Sequence, residues 1–236
     1  MAPIETIAPI ISFTFDDAPK TSLVTGGKIL GAYGRRATFF VSLGLLDRQS
    51  PSGIIASRQD LARAVADGHE LGCHTFDHLD PWKTAPGRFI ESVEKNSRAL
   101  TTVIPGAAFT TFAYPISEPA FRVKRRLEKY FRCCRGGGQT YNAGTTDLNL
   151  LKAFFLDRRN KVDMNSVKQL IDDNNANLGW LIFATHDITE QSSPYGCRPE
   201  FLDKVVDYAA NSGALILPVA EAFDRLWPDK AAPQKV

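Results

Sequence analysis

Two adjacent carboxylates end the first apolar run of the chain. Asp16 and Asp17 lie in the stretch "SFTFDDAPK", residues 12–20. Two carboxylates this close disfavour each other's ionisation unless a positive charge compensates them, and a bound divalent cation supplies such a charge. A solvated turn is the structural alternative, because Asp and Pro both favour turns. The pair therefore indicates either a metal-assisted site or an exposed bend.

Two of the four histidines share a short motif. His74 and His78 frame "HTFDH", and on a helical turn this spacing aims both imidazoles the same way, as in metal-binding pairs. A turn-capping histidine beside an exposed one is the structural alternative. Joined to an aspartate, the two histidines predict a two-His, one-carboxylate metal site with positions open for water and substrate. His69, in "DGHE", is interpreted as structural.

The elements that must position these groups alternate between short apolar runs and segments of helical period, which predicts a parallel α/β sheet. The predicted strands are 10–15, 37–42, 70–74, 110–114, 131–135, 151–156, 180–186 and 214–219. Helices are expected at about 21–33, 57–67, 86–102, 118–130, 164–177 and 199–212. Up to eight such strands predict a distorted (β/α) barrel, with an open doubly wound sheet as the alternative, because 236 residues are few for a complete barrel.

Active sites of parallel α/β folds lie at the carboxyl ends of the strands, where the loops converge on one face. The predicted strands end in polar or ionisable groups: Asp16, Asp17, His74, Tyr114, His186 and Asp187. We therefore expect these groups to meet on one face of the sheet.

Composition limits the class of partner. Lys and Arg total 28 against 26 acidic residues, so a net charge of +2 gives no overall field for nucleic acid or an anionic membrane. No apolar run reaches the roughly 18 residues of a membrane helix, and "MAPIETIAPI" lacks the pattern of a signal peptide. The four cysteines have no CxxC spacing, which argues against a disulfide framework and favours a reducing, cytoplasmic location.

The rest of the chain predicts one domain over residues 1–236, with a core at about 10–227 and a disordered tail at 228–236. The glycine-rich "CRGGGQTYNAG" (134–144) lacks the order of a phosphate-binding loop and indicates a tight turn or mobile loop. The basic stretch "FRVKRRLEKYFRCCR" (121–135) is interpreted as a solvated helix face rather than a polyanion site. Its apolar stripe, expected to face the core, is Phe121, Val123, Leu127, Tyr130 and Phe131.

Four stretches together resemble the ordered motifs of the polysaccharide deacetylases, the NodB-homology or carbohydrate esterase family 4 group. They are "TFDD", "ATFFV", "GHELGCHTFDH" and "LIFATHD", and the match extends over about residues 10–220. The resemblance implies a distorted (β/α) barrel of the NodB-homology type with seven or eight strands. It also implies metal-dependent hydrolysis of N-acetyl, sometimes O-acetyl, groups. The expected partner is an acetylated carbohydrate, with no nucleic acid and no membrane insertion.

The resemblance implies a role for each site residue. Asp17, His74 and His78 would bind the cation, Asp16 would be the general base, and His186 would be the general acid. Zn²⁺ is the expected ion because two imidazoles and one carboxylate suit it, with Co²⁺, Ni²⁺ or Mn²⁺ as alternatives. Water activated by the cation would attack the acetyl carbonyl, and acetate and a free amino sugar would be released.

Further residues are expected to contact the substrate. Backbone N–H groups near Tyr114 would help stabilise the oxyanion, and Tyr114 and Pro115 are expected to bind substrate. Tyr195, in the loop 187–200, could stack on a sugar ring, although packing is an equal interpretation. Two alternative functions stay open: a hydrolase of a small non-sugar amide, and a catalytically silent carbohydrate-binding relative.

The third motif departs from the family pattern. The family commonly has an arginine there that orients the base, in "RPPY"-like sequence, whereas residues 109–117 read "FTTFAYPIS" and resemble a "FAYP" variant. By position after the sixth strand, Arg158 or Arg159 is the expected substitute, and Asp157 could orient His186. Exposed helix-cap charges are the structural alternative for these three residues.

Overall fold

The computed structural model describes residues 1–230. Its strands are β1 (Ala2–Pro3), β2 (Ile10–Phe15), β3 (Thr38–Val41), β4 (Gln49–Ser50), β5 (Gly53–Ile54), β6 (Glu70–Cys73), β7 (Thr111–Ala113), β8 (Cys133–Arg135), β9 (Thr145–Thr146), β10 (Phe154–Phe155), β11 (Trp180–Thr185) and β12 (Leu215–Ile216). Its helices are α1 (Lys28–Ala32), α2 (Arg58–Ala66), α3 (Pro86–Val103), α4 (Phe121–Leu127), α5 (Met164–Ala176), α6 (Pro199–Asn211) and α7 (Val219–Leu226). A π-helical segment, Ser22–Gly27, leads into α1.

Seven parallel strands form a curled sheet in the order β10-β11-β2-β3-β6-β7-β8. β12 pairs with the first half of β2, and β3 pairs with its last two residues. The irregular segment 148–153 continues the hydrogen bonding beside β8, where the Cys134 amide donates to the Leu148 carbonyl at 2.7 Å. The predicted distorted (β/α) barrel is therefore confirmed, and its closure is incomplete because this segment replaces a regular strand.

Strand β2 shows how the sheet separates an inner core from an outer one. Its outward-facing residues, which pack in the cluster under the helices, are Ile11, Phe13 and Phe15. Ile10 belongs to the inner cluster, and the Trp180 indole N–H donates to Ser12 Oγ at 3.0 Å inside the barrel. Because side chains alternate along a strand, Asp16 continues the inner series. The first predicted site residue therefore points into the barrel at its carboxyl end.

Several features differ from the predictions or extend them. The first predicted strand has the predicted bounds and the other seven are present in shorter form, but helix α7, the β4–β5 hairpin and the β1–β9 pair were not predicted. Phe121 was expected in the core, yet it is the first residue of α4 and is 75% exposed. The four cysteines are free and buried. Of the predicted tail, residues 231–236 lie outside the described residues. Within residues 1–230, no helix has both the length and the apolar character to cross a bilayer.

Candidate active site

The carboxyl ends of β2, β6 and β11 bring four predicted site residues together. Asp17 follows β2, His74 and His78 follow β6, and His186 follows β11. The Nε2 atoms of His78 and His74 lie 3.3 and 3.7 Å from Asp17 Oδ1. Nε2 of His186 lies 4.0 Å from Asp17 Oδ2. Asp17 is therefore the centre of a cluster drawn from three strand ends.

Asp17, His74 and His78 form a group suited to a metal ion. One ligand atom from each residue lies within 4.8 Å of the others. Asp17 Oδ1 is buried and accepts no hydrogen bond from the described residues. A buried carboxylate oxygen without a donor is costly, and a cation at this position would satisfy it. Two imidazole nitrogens and a carboxylate oxygen are ligands that zinc and related divalent ions accept, so the residues present fit such an ion.

The hydrogen bonding and burial of His74 favour the neutral imidazole form. Its Nδ1 lies 2.8 Å from the Ala113 carbonyl, which can only accept, so Nδ1 carries the hydrogen and Nε2 keeps its lone pair. Burial lowers the pKa of His74 to about 4, although the Asp16 carboxylate partly opposes this effect. At neutral pH the lone pair of Nε2 is therefore free to face Asp17.

A bend, not a helical turn, brings His74 and His78 together, and the sequence prediction is wrong on this point. Residues 74–80 contain no helix, and Thr75 and His78 have φ of 61° and 52°. The reversal sets the two imidazole centroids 5.0 Å apart. Asp17 also has a positive φ, of 61°. Such backbone costs on the order of 1–3 kcal/mol per residue and is found where the surrounding structure holds it, as in many functional sites.

The side chain that contacts Asp16 is Arg135, the last residue of β8. Nη2 of Arg135 forms an ion pair with Asp16 Oδ1, and the two side chains are 0% and 3% exposed. The rings of Phe40 and Phe155 flank the guanidinium, with centroids at 5.1 and 5.6 Å. The base candidate is therefore held by a buried arginine inside the barrel.

This finding corrects the prediction that Arg158 or Arg159 holds the base. Arg158 donates to the Ser192 carbonyl at 2.8 Å, and Nε of Arg159 donates to Asp157 at 3.0 Å. Both arginines lie beyond β10 in a loop that their side chains tie together. Arg135 instead belongs to strand β8, and the alternation of side chains along β8 directs the Arg135 side chain into the barrel.

Strand alternation is the signal that could have identified Arg135. Cys133 lies in the inner cluster and Cys134 in the outer one, so the next residue returns to the inner side. An arginine that ends a wholly buried strand requires a charged partner. Asp16 occupies the equivalent inner position at the end of β2.

The Asp16 carboxylate is kept ionised. Burial by itself would raise the pKa of Asp16, but the Arg135 guanidinium, with His74 and His186, outweighs burial, so that pKa lies below its usual range. Arg135 uses Oδ1 of Asp16, whereas Oδ2 accepts no hydrogen bond from residues 1–230. Oδ2 is therefore available to accept a proton.

His186 and Asp157 are not in contact, which corrects the predicted pairing. Nδ1 of His186 is buried without a hydrogen-bond partner in the described part of the chain. Asp157 accepts hydrogen bonds from Arg159 and Asn160 instead. The Arg159 guanidinium lies 4.5 Å over the Tyr195 ring, whose centroid is 5.5 Å from that of His186. Asp157 therefore reaches His186 only through Arg159 and Tyr195.

Tyr114 and Pro115 were predicted to bind substrate, but both are buried and their side chains do not form a substrate surface. Tyr114 is 0% exposed, its hydroxyl donates to the Asn149 carbonyl at 3.1 Å, and burial raises the pKa of that hydroxyl. Its backbone N–H donates to the Arg135 carbonyl at 2.9 Å. This N–H is therefore not free to donate to an oxyanion. The exposed neighbour is Ile116, at 59%.

A family model and a known protein each match part of this chain. A family model described as "Polysaccharide deacetylase" matches residues 4–130. Gellan lyase from a Bacillus species is 31% identical over 104 residues, which are 44% of this chain and only 4% of that protein.

Many solved structures share the fold, and two of them are an esterase and a deacetylase. A family 4 acetyl xylan esterase from Clostridium thermocellum, in complex with a cobalt ion, is 19% identical with a TM-score of 0.65, and the likeness covers 95% of this chain and 94% of that one. A chitin deacetylase from the fungal pathogen Colletotrichum lindemuthianum is 20% identical with a TM-score of 0.65, over 94% of this chain and 89% of that one.

Proposed function

The chain belongs to the polysaccharide deacetylase family, and we propose that it is a metal-dependent hydrolase that removes N-acetyl groups, or alternatively O-acetyl groups, from a carbohydrate. The observation that carries this proposal is that two neighbouring carboxylates have partners of different kinds. Asp16 is paired with a buried arginine, whereas Oδ1 of Asp17 faces two histidines and accepts no hydrogen bond from the described residues. The arrangement supports one carboxylate for proton transfer and one for a cation.

Asp17, His74 and His78 would hold the cation. A divalent ion at this position would polarise an acyl carbonyl and would lower the pKa of water from about 15.7 toward 7. The donor set supports Zn²⁺, and the cobalt ion in the acetyl xylan esterase supports Co²⁺ as a substitute.

Asp16 is the general base in this proposal. It accepts a proton from the attacking water at Oδ2 while Arg135 holds Oδ1. Its lowered pKa keeps the carboxylate ionised at neutral pH, and the buried ion pair fixes its direction. Arg135 acts through Asp16 and is a positioning residue.

His186 is the general acid. Its Nε2 faces the cluster at 4.0 Å from Asp17 Oδ2, on the side opposite the buried Nδ1. An amine cannot leave as its anion, so protonation by an imidazolium at Nε2 completes the cleavage. Tyr195 packs beside the ring and limits the directions in which it can turn.

Acetate release tests the proposed function. We expect the protein to release acetate from chitin oligosaccharides or acetylated xylan. A chelator should stop acetate release, and added Zn²⁺ should restore it. Allantoin, a small cyclic amide, serves as the competing substrate in the same assay. Hydrolysis of allantoin without any acetate release would contradict the carbohydrate assignment. A cytoplasmic location is part of the proposal, supported by the four free, buried cysteines.

Replacing Arg135 with methionine tests the positioning of the base. Without the guanidinium, burial dominates and the pKa of Asp16 rises, so the acidic limb of the pH–rate profile should move to higher pH. The stranded carboxylate should also lower the free energy of unfolding by about 3–5 kcal/mol. We would measure kcat against pH and the urea unfolding curve.

Matched variants separate positioning from folding. Arg158→Met removes a guanidinium that bonds outside the cluster, so its pH–rate profile should match that of the wild type. The double variant Asp16→Asn, Arg135→Met should regain stability without regaining activity, because no buried charge is left alone. If Arg135→Met does not fold, Arg135→Lys keeps the charge and should shift the profile less. An unshifted profile in a folded Arg135 variant would show that Arg135 does not position the base.

A further inference from the structure

A groove with a strong local charge lies between the start of α3 and helix α4. Its volume is about 940 Å³, near the upper end of the roughly 300–1,000 Å³ that small-molecule sites occupy. Residues of α3, of α4 and of the turn that follows α4 line it: Pro86, Gly87, Ile90, Phe121, Arg122, Arg125, Arg126, Glu128, Lys129 and Tyr130. We call these residues the basic groove.

Four cations line the basic groove. Arg122, Arg125 and Arg126 have the i, i+3, i+4 spacing of one face of α4, Lys129 lies in the turn that follows, and all four are exposed. Within residues 1–230, none of the four forms an ion pair, whereas other basic residues of the same stretch do, as Lys124 does with Asp147.

The positive charge is localised rather than general. Glu128 is the single carboxylate in the lining, so the groove carries an excess larger than the net +2 of the whole chain. Charge that is unpaired and concentrated in a concave surface attracts an anion of complementary shape.

An exposed aromatic ring lies beside these cations. Phe121 is 75% exposed at the first position of α4, although burial of its ring would be favourable. The ring and the nearby side chains of Ile90 and Tyr130 give the groove apolar surface. A pyranose ring has an apolar C–H face that packs on such surface, while arginine forks bind carboxylates in bidentate geometry.

The helices that line the groove begin after strand ends near the candidate active site. Helices α3 and α4 start after the carboxyl ends of β6 and β7, where His78 and Pro115 also lie. Pro86 comes eight residues after His78, and Phe121 comes six after Pro115. A fully extended chain would place His78 and Pro86 at most roughly 28 Å apart, and Pro115 and Phe121 at most roughly 21 Å apart. A short oligosaccharide can span such distances.

We infer that the basic groove binds a carboxylate-bearing polysaccharide, in place of the solvated helix face that the sequence indicated, and so extends the substrate site to an anionic glycan. This inference rests on the proposed function, because only a carbohydrate substrate links the groove to the catalytic cluster. Nucleic acid fits less well, since single strands are bound by successive stacking platforms and the groove offers one exposed aromatic ring.

Binding of an oligogalacturonate tests the inference without any acetyl group. The wild-type protein should bind it at least tenfold more tightly than the methyl-esterified oligomer of the same length, which has the same backbone without the charge. The triple variant Arg122→Gln, Arg125→Gln, Arg126→Gln should lose this preference. Isothermal titration at low and raised salt would measure both affinities, and the preference should weaken with salt.

A charge-matched variant provides the control. The triple variant Arg58→Gln, Arg63→Gln, Arg225→Gln removes three exposed positive charges elsewhere and should bind the oligogalacturonate as the wild type does. Equal affinity for the charged and esterified oligomers, undiminished binding in the triple variant of the groove, or tighter binding of a single-stranded oligonucleotide of equal charge would each overturn the inference.

The two proposals fail separately. Acetate release from chitin oligosaccharides together with no groove-dependent binding would overturn the inference alone. Groove-dependent binding without acetate release from any glycan would support the groove and overturn only the proposed function.

Discussion

Replacing His74 with alanine should abolish metal binding and lower acetate release at least about 10³-fold, because a catalytic cation contributes several kcal/mol to the transition state. His74 is 2% exposed, and its orientation is fixed by the hydrogen bond from Nδ1 to the Ala113 carbonyl. With the ring gone, only Asp17 and His78 of the metal group are left. Metal content after dialysis, measured by mass spectrometry, and acetate release are the two readouts.

His69 is the matched control for this variant. Its Nδ1 accepts from the Ala37 amide at 3.0 Å, and its ring packs edge-on against Phe39, away from Asp17. His69→Ala should therefore lose stability while it keeps both metal and turnover. One ion per chain in His74→Ala would contradict the assignment of the metal ligands.

Asp16→Asn should lower acetate release by about 10²–10⁴-fold, the contribution typical of a general base, while metal content stays near one ion per chain. The amide oxygen can still accept from Arg135, so the side chain keeps its place, but it cannot take a proton. The combination of retained metal and lost turnover distinguishes this variant from His74→Ala. Steady-state kinetics and metal analysis on the same preparation would show it.

Asp157 offers a second buried carboxylate paired with an arginine. Its partners are Arg159 and Asn160, outside the cluster around Asp17. Asp157→Asn should therefore change acetate release by only a few-fold. Full activity in Asp16→Asn would contradict its role as the base.

The cluster around Asp17 was predictable from the chain because most of its residues lie just after strand ends. The alternation of strands and helices places the carboxyl ends of the strands on one face of the sheet. Asp17, His74 and His186 could therefore be assigned to that face without knowledge of the distances between them. The bend that unites His74 with His78 could not be predicted, since it depends on positive φ at two residues that are not glycine. Spacing alone favoured a helical turn, but residues 74–80 contain none.

The partner of Asp16 was missed for a different reason. Asp16 and Arg135 are 119 residues apart, and they meet only because β2 and β8 point these side chains into the same barrel interior. That contact requires the strand order and the register of each strand, neither of which a local pattern supplies. Position along the chain favoured Arg158, whose loop in fact turns its side chain to Ser192.

Burial likewise changed the substrate assignments. Tyr114 ends its strand on the expected face, but packing against Phe112 and the Asn149 carbonyl removes its ring from solvent. Phe121 shows the reverse case, because helical periodicity predicted an inward position and the short helix α4 leaves its first residue outside. Both outcomes depend on where neighbouring segments pack rather than on the residue type.

Anomalous scattering from crystals grown with Zn²⁺, recorded at the zinc absorption edge, tests most directly that Asp17, His74 and His78 form a metal site. The account predicts one strong peak between Asp17 Oδ1 and the Nε2 atoms of His74 and His78, and no such peak in crystals of His74→Ala. A peak elsewhere, or none at these three atoms in the wild-type protein, would contradict the account.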